Sequence, residues 1–323
     1  MKFRSIILLL FAVLLAAASV GCAETDLSGN DEKVKIKVIV KKRSYDYWNV
    51  VKIGAEAAGK EFNVDVDFDG PVDEKDIDVQ IAMVKKAVDD DVDALVLAAS
   101  DFTLLVPAAE KAVASGIPVI IIDSNIKSNK MDSFIGTDNV DAGRKVGESL
   151  VEVMGESCDI AVMSFVKGAA TAVEREEGFF EETRKYPGIN VIDTLYCNSD
   201  EDIAQQLAID MMKKNPDLDA FVCLNAYGTA GVARGVDESG KGGSIKVVGF
   251  DSTPEEIMYM ENGVIQSLVI QNPFNMGYLG VKYALDAVNN VHVPKTVDTG
   301  ATVINKENMY LPENQKLLFP FTD

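Results

Sequence analysis

Short apolar strand patterns alternate with amphipathic helix patterns along almost the whole chain. One series runs from KIKVIVK at 35–41 to VIIID at 119–123, and a second runs from a predicted helix over 142–154 to VVGFD at 247–251. Runs such as VIIID, rich in β-branched residues, are typical of parallel strands buried on both faces. Because a chain of 323 residues is long for one hydrophobic core, this order predicts an α/β fold with two Rossmann-like parallel-sheet units.

Capping residues and first-turn prolines predict the helix boundaries. Asp200 is a predicted N-cap, and Thr253-Pro254 followed by Glu255 and Glu256 predicts another helix start. Acidic runs at 89–91 and 198–202 are therefore interpreted as turn and cap residues rather than as a metal loop. The helix patterns lie at 48–61, 77–88, 104–115, 142–154, 172–186, 203–214 and 228–238.

Polar residues stand at the carboxyl ends of the predicted strands, or open the helices that follow them. They are Asp123, Arg175, Asn225, Asp251 and Gln271. In open α/β sheets these strand ends form the ligand crevice, so we expect one shared site. Carboxylates, a guanidinium and amides supply planar donors and acceptors, which suit a neutral polyhydroxylated molecule. No nucleophile and base pair stands beside them, so the sequence predicts a binding protein that is not an enzyme and uses no cofactor or metal.

The N-terminus carries the marks of a secretory signal. Lys2 and Arg4 precede an apolar run over 6–20, which is short for a membrane span. Residues 1–21 are therefore a predicted signal peptide, and residues 22–32 a polar tether. Removing Lys2 and Arg4 takes the formal charge from −20 to −22. So acidic a surface argues against nucleic acid as a partner.

Ser19-Val20-Gly21-Cys22 resembles a bacterial lipobox, although leucine is usual where Ser19 stands. The resemblance implies that Cys22 carries a lipid and holds the protein at the outer face of the bacterial cytoplasmic membrane. Ordinary cleavage near 16–18, which would release a periplasmic protein, is the alternative.

Three cysteines follow Cys22, and an odd number cannot all pair. They are Cys158, Cys197 and Cys223. Buried free thiols are favoured, and one disulfide stays open because the compartment permits it. The only histidine, His292, falls in a predicted loop and is interpreted as a surface residue.

Several motifs, in their order and spacing, resemble the type I periplasmic sugar-binding proteins of bacterial ABC importers, and most closely the ribose-binding group. They are IPVIIIDS at 117–124, GTDNVDAG at 136–143, EREEGF at 174–179, VVGFDSTPE at 247–255 and VIQNP at 269–273. The resemblance implies a monomeric two-domain clamp, joined by three crossing segments, that closes on one monosaccharide and delivers it to importer membrane subunits.

The family's binding residues fall on matching positions. The resemblance assigns ligand contacts to Tyr47, Trp48, Asp123, Arg175, Asn225, Asp251 and Gln271, with Tyr45 in place of an asparagine. Ser124 replaces an arginine, Ala98 an amide and Ser199 an aromatic residue. These departures change the hydrogen-bond count and the volume of the site, so the sugar need not be ribose.

The family topology also predicts domain bounds, with chain crossings near 136–139, 270–273 and 299–302. The N-terminal α/β domain is expected at 33–137 plus 272–300, and the C-terminal α/β domain at 138–271 plus 301–323.

Three other functions fit parts of the pattern. A dinucleotide-dependent dehydrogenase would carry a glycine-rich turn after the first strand, whereas the turn over 41–45 has no glycine. A sugar-responsive repressor would need an N-terminal helix-turn-helix where this chain has a predicted signal peptide. The remaining alternative is a sensory protein that presents a sugar or furanosyl signal to a chemoreceptor or receptor kinase.

Overall fold

The computed structural model describes residues 33–319, so the predicted signal peptide and the whole tether, with Cys22, lie outside the described residues. Twelve strands form two sheets. The strands are β1 (Lys35–Ile39), β2 (Asp65–Asp69), β3 (Ala94–Leu97), β4 (Val119–Ile122), β5 (Ser133–Gly136), β6 (Ser157–Ser164), β7 (Gly188–Tyr196), β8 (Ala220–Cys223), β9 (Lys246–Phe250), β10 (Ser267–Gln271), β11 (Thr296–Asp298) and β12 (Ala301–Asn305).

Helices connect most of these strands, as parallel pairing requires. They are α1 (Asp46–Phe62), α2 (Ile77–Asp89), α3 (Val106–Ala114), α4 (Asn139–Met154), α5 (Ala170–Thr183), α6 (Glu201–Lys214), α7 (Ala226–Glu238), α8 (Pro254–Glu261), α9 (Pro273–Val288) and α10 (Pro312–Leu318). No helix within residues 33–319 combines the length and apolar character that a membrane crossing needs.

The first sheet has the strand order β11-β5-β4-β3-β1-β2 and the second β12-β10-β9-β8-β6-β7. All pairings in the first sheet are parallel, and in the second only β12 runs antiparallel, against β10. We call each sheet with its flanking helices a lobe. The predicted fold class of two parallel-rich α/β sheets is confirmed, with the antiparallel edge strand as an addition.

The chain passes between the two sheets three times. It leaves the first sheet after β5 and enters α4, which packs on the second sheet. It returns after β10 into α9, which packs on the first sheet, and crosses again between β11 and β12.

The central strands β3 and β4 of the first sheet have both faces buried, because helices cover the two sides. Val96 and Ile120 face the side covered by α1 and α9, whereas the alternate residues Leu95 and Ile121 face α2 and α3. Burial of one such aliphatic side chain stabilises the fold by about 1.5–3 kcal/mol. This two-sided burial explains why the strands appear in the sequence as continuous apolar runs.

Helices α4 and α5 approach each other closely enough to exclude a side chain. A Cβ atom built on Gly178 would lie 1.9 Å from the carbonyl oxygen of Val140. The absence of a Cβ there lets the third turn of α5 pack on the first turn of α4. The contact fixes Arg175, on α5, beside the start of α4.

Some helix boundaries differ from the predicted ones. Helix α4 begins at Asn139 rather than at 142, because the Asp138 side chain accepts a hydrogen bond from the backbone N–H of Asp141 and caps it. Helix α5 spans 170–183 rather than 172–186, and α3 begins at 106 rather than at 104. The predicted cap at Asp200 is confirmed, and Thr253 and Glu256 form a reciprocal capping box at α8.

Candidate functional site

A cavity between the two lobes contains all eight residues that the sequence assigned to ligand binding. These residues are Tyr45, Tyr47, Trp48, Asp123, Arg175, Asn225, Asp251 and Gln271. Six further residues line the same cavity and were not predicted: Lys41, Glu74, Phe165, Thr171, Ala226 and Tyr227. We call this space the inner cavity.

The two lobes place their carboxylates in equivalent positions. Asp123 follows β4 in the first sheet, and Asp251 follows β9 in the second. Both have left-handed backbones, with φ of 60° and 72°. Their backbone N–H groups donate to Ile135 and Val269 on the neighbouring strand, each at 2.9 Å. Non-glycine residues in this conformation store strain and concentrate at functional sites, so the shared geometry supports a shared role.

Asp123 already has two partners within its own lobe. The Lys41 ammonium lies 3.0 Å from Oδ2, and the Tyr47 hydroxyl donates to Oδ1 at 2.8 Å. Burial alone would raise the pKa of Asp123, but Lys41 and the hydrogen bonds outweigh it and lower the pKa below its ordinary value. Asp123 is therefore a carboxylate at neutral pH.

Lys41 accounts for one departure from the family pattern. Its ammonium also donates to Ser124 Oγ at 2.5 Å and lies 3.7 Å from Glu74 Oε1. Ser124 stands where the resemblance to ribose-binding proteins implies an arginine, and Lys41 supplies a cation at the same wall from the loop after β1. The sequence analysis counted Lys41 only as part of the turn over 41–45. It lies two residues after β1, and nothing in the run Lys-Lys-Arg marks it as the basic group that faces the cavity.

Asp251 is held by uncharged donors. Gln271 Nε2 donates to Oδ1 at 2.7 Å, and the backbone N–H of Ala226 donates to Oδ2 at 3.2 Å. Burial raises the pKa of Asp251, although Arg175 opposes the shift. The two equivalent carboxylates thus have pKa values displaced in opposite directions, because only Asp123 has a cation in direct contact.

Arg175 is a buried guanidinium that the protein orients toward the cavity. Its Nε donates to Asn139 Oδ1 at 2.9 Å, and its Nη1 donates to the Leu224 carbonyl at 2.8 Å. The guanidinium carbon lies 3.8 Å from the ring centroid of Phe250. Among residues 33–319, Arg175 makes these two hydrogen bonds through Nε and Nη1 and forms no ion pair with a carboxylate. Its Nη2 therefore remains a donor for a ligand.

Asn225 is also the N-cap residue of helix α7. Its Oδ1 accepts from the Gly228 N–H at 2.9 Å and caps helix α7, and its Nδ2 lies 3.4 Å from Ser199 Oγ. The cap fixes the side chain at the cavity wall with Nδ2 available as a donor.

Three aromatic residues come from the loop and first turn of α1. Tyr47 and Trp48 pack edge to face, with ring centroids 5.0 Å apart, and Trp48 is 4% exposed. Tyr45 instead stacks on Tyr227 of the opposite lobe, with centroids 3.9 Å apart. Tyr47 and Trp48 thus pack together within the first lobe, whereas Tyr45 packs against a residue of the second lobe.

The three cysteines that the sequence left open are free and buried. Burial raises the pKa of Cys158 and of Cys197 to about 11. Such thiols stay protonated at neutral pH and behave as small apolar groups.

Two lobes joined by three crossings, with converging polar groups in the crevice between them, define a solute-binding clamp. The model of the periplasmic binding protein domain matches residues 36–290, and the chain belongs to that family. Membership in this family implies an exported, solute-binding protein.

Relatives of known structure share the whole fold. A carbohydrate transporter solute-binding protein from Agrobacterium radiobacter, solved with D-arabinose, is 31% identical, covers 89% of this chain and 99% of its own, and superposes with a TM-score of 0.86. A solute-binding protein of an Agrobacterium vitis ABC transporter, solved with D-fucose, is 33% identical, with 88% and 99% covered and a TM-score of 0.85.

Among curated proteins, the D-allose-binding periplasmic protein of Escherichia coli is 28% identical over 258 residues, which cover 77% of this chain and 83% of that protein. The resemblance to type I periplasmic sugar-binding proteins is thereby confirmed.

Proposed function

We propose that this protein captures one neutral monosaccharide, or a related polyol, in the inner cavity and delivers it to an ABC importer. The observation that carries the proposal is the convergence of hydrogen-bonding groups from both lobes on one buried space that also holds a tryptophan. Sugar hydroxyls both donate and accept, and the apolar face of a sugar ring packs on aromatic side chains. The relatives solved with D-arabinose and D-fucose, and the D-allose-binding relative, support a small aldose as the ligand class.

The charge of the inner cavity favours a neutral ligand. Its wall carries the carboxyl groups of Asp123, Asp251 and Glu74 against the cations Lys41 and Arg175. Lys41 is already engaged with Asp123, so an incoming phosphate or carboxylate would meet Asp251 with only Arg175 to offset the repulsion. Sugar phosphates and uronic acids are therefore disfavoured.

Binding is proposed to close the lobes about the three crossings. The moving bodies would be residues 33–137 plus 272–300 and residues 138–271 plus 301–323. Ligand groups supplied by both walls would bind the closed form more tightly and shift the population toward it. The monomer would then present this form to the importer membrane subunits. The relatives favour this role over the sensory alternative.

Export and anchoring belong to the same proposal. Residues 1–21 would direct export, and a lipid on Cys22 would hold the protein at the membrane through the tether 22–32. Intact-mass analysis of the processed protein and of Cys22→Ser tests this. A lipid-sized mass that disappears in Cys22→Ser is expected, whereas an unmodified mature N-terminus would refute the anchor.

A thermal-shift panel tests the ligand class. D-Allose, D-arabinose and D-fucose are compared with D-glucose 6-phosphate and D-galacturonic acid. At least one neutral sugar should raise the melting temperature progressively with its concentration. The stabilisation should reach about 2.7 kcal/mol at a hundredfold excess over the dissociation constant. Stabilisation by the anionic sugars alone would overturn the charge argument, and no shift with any neutral sugar would count against the proposed function.

A further inference from the structure

Tyr45 and Tyr227 form a partition across the cleft. Tyr45 comes from the loop before α1 in the first lobe, and Tyr227 from the first turn of α7 in the second, and their rings stack at 3.9 Å with 16° between planes. Both rings line the inner cavity and also a second space on their other side, the outer chamber. Further residues of the outer chamber include Lys42, Asp73, Asn198, Ser199, Asp200 and Asp202.

The two hydroxyl groups of this pair differ in their partners. Tyr45 donates its hydroxyl hydrogen to Glu201 Oε1 at 3.2 Å, and Arg234 holds the other oxygen of Glu201 at 3.0 Å. The Tyr227 hydroxyl is buried and has no hydrogen-bond partner among residues 33–319, in a side chain that is 7% exposed. A buried phenol without a partner costs about 1–3 kcal/mol, and a native structure needs a reason to keep one.

Position distinguishes this hydroxyl from the other unpaired groups. Within residues 33–319 the buried side-chain atoms without a partner belong to Ser100, Tyr227, Glu256 and Thr299. Of these, only Tyr227 lines the inner cavity. Its backbone is fixed there because Asn225, two residues earlier, caps the same helix. The residue that carries this unpaired hydroxyl therefore belongs to the wall of the inner cavity.

We propose that the Tyr227 hydroxyl binds a hydroxyl group of the captured sugar and so determines specificity, an inference that rests on the proposed function. The family resemblance implies an aromatic residue at position 199, where this chain has a serine. Tyr227 supplies an aromatic group from the same lobe. Its ring, held against Tyr45 with the Lys42 ammonium 5.0 Å from the ring centroid, separates the inner cavity from the outer chamber. A sugar in the inner cavity is then bounded on that side by a phenol able to donate and accept, which favours a ligand with a hydroxyl there over one with a hydrogen or an O-alkyl group.

Tyr227→Phe removes only the hydroxyl and keeps the ring stack. Calorimetric titration with D-allose, D-arabinose and D-fucose should show affinity reduced roughly five- to hundredfold for each sugar that the wild type binds through this hydroxyl. Without sugar, the variant should melt within about 2 °C of the wild type or above it, since no protein partner is lost. Tyr278→Phe, which removes a surface hydroxyl paired with Glu61, is the matched control and should leave affinity unchanged.

A second comparison identifies the sugar group involved. For one mono-deoxy derivative of the best-bound sugar, wild type and Tyr227→Phe should bind with equal affinity, because that derivative already lacks the hydroxyl group that Tyr227 contacts.

The outcomes separate the two proposals. Wild-type protein that binds none of the three sugars would refute the proposed function for this ligand class and the Tyr227 contact with it. Wild-type binding with equal affinity in Tyr227→Phe would overturn the Tyr227 contact alone. A marked fall in the melting temperature of unliganded Tyr227→Phe would also overturn it, because the hydroxyl would then have a partner within the protein.

Discussion

Replacing Asp123 with asparagine removes a charge at nearly constant volume and isolates the ion pair with Lys41. At the observed 3.0 Å, Coulomb attraction at an effective dielectric constant of about 20 amounts to about 5 kcal/mol. The desolvation of both groups offsets part of this attraction. After the substitution, Glu74, 3.7 Å from Lys41, still balances part of the positive charge of Lys41. We therefore expect the free energy of unfolding to fall by about 3 kcal/mol, near the low end for a broken buried pair.

Lys41→Met and the double variant complete the test. Each single variant leaves one buried charge without its partner, whereas the double variant leaves neither. In urea unfolding, the double variant should therefore lose at least about 1 kcal/mol less than the sum of the single losses.

The same comparison has a defined pH dependence. The folded pKa of Asp123 lies below its unfolded value. Its contribution to stability is therefore fully present above the unfolded pKa and is lost as pH falls through the folded one. Wild type and Asp123→Asn should converge in stability at acidic pH. Additive losses in the cycle, or a stability difference that does not change with pH, would refute the ion-pair reasoning.

Three shorter predictions concern other groups. Trp48 is the only tryptophan of the chain and lines the inner cavity, so its emission should shift on sugar binding. The dissociation constant from this shift should match the one fitted to the rise in melting temperature, and unchanged emission would place Trp48 outside the contact surface. Burial, with Asp251 nearby, raises the pKa of Glu256 well above its ordinary value, so the stability of the wild type should fall as pH rises from the unfolded toward the folded pKa of this group. Glu256→Gln keeps the capping box and should lack this fall in melting curves recorded between about pH 5 and 8. Asn225→Ala should lower the free energy of unfolding by about 0.5–2 kcal/mol and also weaken sugar binding. Equal stability of Asn225→Ala and wild type would contradict the capping role.

Local patterns in the sequence were sufficient to predict the fold class and the positions of the candidate site residues. Parallel strands of one sheet end at one edge, so Asp123 in the first sheet and Asp251 in the second were each expected at the ligand-binding edge of their own sheet. That the two edges face each other followed from the family resemblance. The family resemblance supplied Tyr47 and Trp48, which stand in the first turn of α1, where apolar periodicity alone does not assign a ligand contact. Their contact with a sugar stays a prediction.

Side-chain contacts between residues that are distant in sequence could not be predicted from such local patterns. Lys41 meets Asp123 across 82 positions, and nothing in the run Lys-Lys-Arg indicates which basic group turns inward. Tyr227 follows Asn225 closely, yet its stack on Tyr45 depends on the arrangement of the two lobes. Helix starts such as Asn139 were missed because the cap at Asp138, rather than apolar periodicity, decides where the helix begins.

Calorimetric titration of one neutral sugar into wild type, Asp123→Asn and Asp251→Asn tests binding between the lobes most directly, because the two carboxylates belong to different lobes. We expect one site per chain in the wild type and at least tenfold weaker binding in each variant, which corresponds to about 1.4 kcal/mol. Binding that survives unchanged in both variants, or that depends on only one lobe, would contradict capture of a sugar between the two lobes.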